Sequence, residues 1–137
     1  MHEIRREEKE HLERLIQAIQ LLAADYETQI GILPDFVHIP DELALTYGDC
    51  FLFADDIAEA GLIEEEVLVR LKELDDTFEH LSRKGNEAFW TLSRLRDSDE
   101  WQCIRSMASK LLVVLGRQKQ HPDLYWISYI KGSSDST

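Results

Sequence analysis

Val67, Leu71, Leu74, Phe78 and Leu81 step along the chain by four and three, with Glu65, Lys72, Asp76 and Glu79 between them. A helical period places the apolar set on one side of an α-helix and the charged set on the other. The spacing predicts a helix from about Ile63 to Ser82 whose narrow seam can be buried only against other helices. Arg83, Lys84, Gly85 and Asn86 close it, with cations at the negative helix end and a glycine just beyond.

The rest of the chain supplies partners for that seam. Leu12, Leu15, Ile16, Ile19, Leu22, Ala23, Tyr26 and Ile30 form one apolar stripe, predicting a first helix from about Glu3 to Gln29. Residues 1–10 make its charged start, which is expected to project from the core, with Glu10 and Arg14 at a favourable helical spacing. Gly31 and Pro34 end it, and Phe36, Val37 and Ile39 are expected to pack down as an ordered connector. A second helix is predicted from Asp41, as N-cap, to Ala60, with Gly61 as C-cap. Its buried side would be Leu43, Tyr47, Cys50, Phe51, Ala54, Ile57 and Ala58.

A short fourth helix is predicted over Glu87–Arg96, carrying Phe89 and Trp90. Asp97 and Glu100 are spaced like a capping box ahead of a fifth helix, with Trp101, Ile104, Ala108, Leu111, Leu112 and Leu115 as its seam and Gly116 as its stop. The segment Leu124–Ile130 reads as a short strand or an extended strip on the bundle, and residues 132–137 as a frayed tail. The expectation is therefore a single all-α domain over 1–137, a bundle of about five helices with a short extended C-terminal strip.

No run of about 18 apolar residues is present, which argues against a membrane-spanning helix. The charged start, His2 to His11, lacks a secretory pattern, and Cys50 and Cys103 match no disulfide or metal spacing. A cytoplasmic protein with buried free thiols is the expectation. The net charge of −12 is concentrated in one place. Residues 41–79 hold 13 acids against Arg70 and Lys72, a net −11. Such a field repels nucleic acid and anionic membrane and favours a basic partner, although solubility alone also calls for surface acids.

Within that stretch, Asp56 and Glu59 are followed by Glu73 and Asp76. Acids three apart share a helix face, and two helices can bring two such pairs around Mg²⁺. The spacing is similar to the ExxE…ExxD arrangement of all-α nucleoside triphosphate pyrophosphatases of the MazG and dUTPase type, with Asp56 in place of the first Glu. That resemblance implies Mg²⁺ on Asp56, Glu59, Glu73 and Asp76; solvated acidic faces give the same spacing. Glu8 and His11 make one ExxH, but the second motif that a di-iron bundle needs is missing. No nucleophile triad, phosphate loop or other cofactor signature is found, and no catalytic residue is assigned. Phe89, Trp90 and Trp101 read as core anchors, while Tyr125, Trp126 and Tyr129 either fill a groove on the bundle or cover a partner.

The segments Leu33-Pro34-Asp35-Phe36, Asp41-Glu42-Leu43-Ala44-Leu45, Leu71-Lys72-Glu73-Leu74-Asp75 and Trp90-Thr91-Leu92, with Trp101 and Ile104-Arg105, carry a second resemblance. They are similar to small, acidic, all-helical bacterial immunity proteins that accompany secreted or contact-dependent toxins, over roughly Leu15 to Leu115. The resemblance implies a non-enzymatic protein that binds and neutralises a cognate toxin in the cytoplasm, and it transfers no functional residue. From the charge pattern, the expected contact with a basic toxin domain is Asp49, Asp55, Asp56, Glu65, Asp76 and Glu79.

Overall fold

The computed structural model describes residues 2–83 and 85–129, with side chains described from residue 6 onward. The chain is all-helical there, with no strand among the described residues. The helices are α1 (His2–Ala23), α2 (Tyr26–Ile32), α3 (Ile39–Phe51), α4 (Ala54–Glu59), α5 (Glu65–Leu81), α6 (Leu92–Asp97) and α7 (Asp99–Val114), with a 3-10 turn at Glu87–Trp90 before α6. The expected seam of α5 is buried throughout, and Glu65, Lys72, Asp76 and Glu79 are exposed.

Helix α1 is the central element, packed against α7 on one side and α3 and α4 on another. Leu15, Ile16, Ala18, Ile19, Leu21 and Leu22 are all essentially inaccessible, so this helix is buried on more than the single expected stripe. Its charged start does not wholly project. Glu8 is buried, and the His11 ring stacks on Phe53 with centroids 3.7 Å apart.

Three of the expected helices are each two. The first breaks at Ala24–Asp25, where the Asp25 carboxylate accepts from the Thr28 amide at 2.8 Å and caps α2. The second breaks at Leu52–Phe53, which frees Phe53 for the His11 stack and leaves Leu52 75% exposed. Asp41 is not the cap of α3. His38 stands at that position and pairs with Asp41 across 3.0 Å. The fourth divides at Thr91, whose hydroxyl accepts from the Arg94 amide. The cap of α7 is Ser98, one residue beyond the expected Asp97, accepting from the Trp101 amide. Gly61 and Gly116 terminate α4 and α7 as expected, both at positive φ, with the paired 6→1 and 5→2 bonds of Schellman motifs. In the connector, Ile39 is buried and Val37 packs on the core, but Phe36 is 41% exposed. Cys50 is buried and Cys103 exposed, both as free thiols.

Two buried polar links hold the helix ends. The Gln29 amide donates to the Leu21 and Leu22 carbonyls at 3.1 and 3.3 Å, satisfying the orphan end of α1. Arg105 of α7 donates to the Gln29 side-chain Oε1 at 2.8 Å and to the Leu95 backbone carbonyl at 2.7 Å. Burial lowers the Arg105 pKa, partly offset by Asp25 and Glu27. On the other side, the Tyr47 hydroxyl donates to the Leu71 carbonyl at 2.6 Å, tying α3 to α5. Phe89, Trp90 and Trp101 are core anchors, with Phe89 and Trp101 stacked at 4.5 Å.

After α7 the chain runs extended along α1 instead of pairing as a strand. Glu13 holds Arg117 at 3.0 Å. Gln20 donates to the Gln118 carbonyl at 2.8 Å and accepts from the Gln120 amide at 2.7 Å, while Gln17 accepts from Asp123 at 2.9 Å. Glu10 accepts from the Tyr125 hydroxyl. One polar stripe of α1, at three- and four-residue steps, thus acts as a substitute ladder for the strip. Leu124, Trp126 and Tyr129 pack on the core and Tyr125 is exposed. Ile130 and the expected tail at 132–137 lie outside the described residues.

Candidate partner-binding groove

Helix α5 presents its charged side in two flanks. Lys72, Asp75, Asp76 and Glu79 follow one another at steps of three, one and three residues, and Asp75 and Glu79 turn toward α3. Across from them α3 offers Asp41, Ala44, Gly48 and Asp49. Ala44 and Gly48 are four residues apart on one face and line a groove of about 530 Å³ between the helices. Phe78 and Trp90 give it an aromatic floor, and the carboxylates of Asp41, Asp49, Asp75 and Glu79 rim it. The Tyr47–Leu71 hydrogen bond fixes the spacing of the two walls.

Electrostatically the groove is unbalanced. Glu79 reaches Arg83 only at 3.9 Å, and among the described residues no cation lies within 4.0 Å of Asp49 or Asp75. Desolvation, with Asp76 and Glu79 close by, raises the Asp75 pKa above the usual aspartate value. Asp75, Asp76 and Glu79 place carboxylate oxygens within 4.8 Å of one another. On the α1 side of α3 a second cleft of about 590 Å³ runs between His11, Arg14, Glu42, Asp49, Phe53 and Trp126. Its charges are mixed, and Arg14 already lies over the Trp126 ring at 5.9 Å. Burial, with Asp49 nearby, pushes the thiol of Cys50 beneath it up to about 11, away from the reactive thiolate form.

The six acids expected at a partner contact fall in different places. Asp49 and Glu79 rim the groove, and Asp76 stands beside it in the carboxylate cluster. Asp55 faces Lys72 at 3.6 Å. Asp56 is exposed on the short α4, and Glu65 on the first turn of α5. The four acids considered for Mg²⁺ are not gathered into one cluster among the described residues; only Asp76 belongs to the tight group. Glu73 instead lines a hollow with Arg70, Met107 and Lys110 on the α7 side. Asp41, Asp75, Gly48 and the Phe78–Trp90 floor were not singled out by the charge pattern. Their signal was the small-residue step Ala44–Gly48 opposite the acidic flank of α5.

No helix among the described residues is long and apolar enough to cross a membrane. No family model, curated protein or solved structure matches the chain.

Proposed function

We propose that this protein is a non-enzymatic immunity protein that binds and neutralises a basic toxin domain, with the α3–α5 groove as the centre of its contact. The observation that supports this reading is the rim of Asp41, Asp49, Asp75 and Glu79 around an aromatic floor. An acidic field of this size accelerates encounter with a cationic cleft, and the apolar floor gives the complex a desolvated centre. Occupying a toxin's basic substrate cleft would block it without any chemistry on the part of the inhibitor.

The test is rescue of growth in cells that express a basic toxin domain from the same source. The native chain is expected to restore growth, and a chain with Asp49→Lys and Glu79→Lys to lose that protection while melting as a folded protein. Equal rescue by both chains would remove the groove from the contact. Failure of the native chain against every such toxin would remove the immunity reading.

A further inference from the structure

Gly48 lies in the interior of α3 with ordinary helical backbone, where glycine is less favourable than alanine. A Cβ built there meets nothing within 4 Å, so neither backbone conformation nor packing asks for a glycine. The position lines the groove shared by Asp49, Asp75, Phe78 and Trp90, so a side chain introduced there projects into that open space.

We infer that the groove is a socket for one arginine side chain projecting from the basic partner, an inference that rests on the binding role proposed above. An arginine stem is apolar and lies on aromatic surface, while its guanidinium keeps five donors in a planar fork. Here Phe78 and Trp90 supply the apolar and stacking surface. Asp49 and Asp75 supply carboxylates that lack a cation within 4.0 Å among the described residues. A guanidinium can engage a carboxylate with two parallel bonds and stack on an indole at once, which an ammonium cannot. The second cleft is a poorer socket, because Arg14 already occupies the aromatic surface of Trp126 there.

The experiment is an amide and indole NMR titration of the full chain with N-acetylarginine amide, N-acetyllysine amide and N-acetylleucine amide. Arginine is expected to give saturable shifts at the Gly48 and Asp75 amides and the Trp90 indole, with lysine and leucine at least fivefold weaker. Gly48→Leu, which projects an isobutyl group into the groove, is expected to weaken arginine at least tenfold. Gly48→Ala is the folding control and is expected to raise Tm by about 3 °C. Three results would overturn the socket: shifts that survive Gly48→Leu, shifts spread equally over Glu64–Glu66, or lysine equal to arginine. None of them decides the immunity reading, which stands or falls on growth rescue by the native chain. Loss of rescue in Asp49→Lys, Glu79→Lys with full rescue by Gly48→Leu would keep the acidic contact and reject the socket.

Discussion

Replacing Gln29 with leucine tests whether one buried amide of α2 ties the end of α1 to the middle of α7. Gln29 is fully inaccessible, donates to Leu21 and Leu22, and accepts from the Arg105 guanidinium. Each neutral bond is worth about 1 kcal/mol, and the bond from a charged donor about 1.5–3 kcal/mol. Losing all three, with the carbonyls and guanidinium left short of partners, costs roughly 3–5 kcal/mol. For a chain of this size that lowers Tm by roughly 10–15 °C. Arg105→Met is milder, about 1–2 kcal/mol, because Gln29 still serves the end of α1 and a desolvated charge is removed. The double variant is therefore expected to be more stable than the sum of the single losses implies, by at least about 1.5 kcal/mol. Urea unfolding of the four proteins measures each value. A Gln29→Leu loss below about 1 kcal/mol, or strict additivity, would show that the link carries no such weight.

Gln20→Ala removes both of its bonds to the C-terminal strip, and is expected to cost about 1–2 kcal/mol and to speed hydrogen exchange at the Gln120 amide by at least tenfold. Unchanged exchange would mean that the strip is held by its apolar contacts alone. Asp75 has its pKa raised in the folded state, so folding favours the protonated form and the ionised form opposes folding as pH rises through the folded pKa. Asp75→Asn is thus expected to raise Tm at pH 7, with the gain vanishing below the ordinary aspartate value of about 3.9; a gain independent of pH would contradict this. Millimolar Mg²⁺ is expected to leave Tm level with an ionic-strength control, because Asp56, Glu59 and Glu73 do not join Asp76 in one cluster. A specific rise that disappears in Glu59→Gln, Glu73→Gln would restore the pyrophosphatase alternative.

The all-helical class and the faces of α5 were legible because Val67 to Leu81 repeat without interruption, and Gly61 and Gly116 are unambiguous stops. Three helices were read as too long for one common reason. Apolar periodicity runs straight through Asp25, Phe53 and Thr91, so it does not mark the side-chain caps of α2 and α6 or the turn before α4. Arg105 and Gln29 were invisible as core residues, since their burial depends on helix ends that meet only in three dimensions. The ladder of Glu10, Glu13, Gln17 and Gln20 was legible in spacing but resembles an ordinary solvated flank. At the groove, Asp49 and Glu79, two acids of the charge-dense stretch, line one surface feature. Charge density could not separate them from Asp55, Asp56 and Glu65, because net charge carries no information about which flank of a helix faces a neighbour.

Recognition of a basic toxin domain by the acidic α3–α5 groove has a kinetic signature in the salt dependence of association. The native chain and the Asp49→Lys, Glu79→Lys variant would be compared by stopped flow with the toxin domain identified by growth rescue. At about 50 mM salt the variant is expected to associate at least tenfold more slowly, with the gap closing as screening shortens the reach of the charges. Equal rates at low salt, or a gap indifferent to salt, would place the contact elsewhere on the molecule.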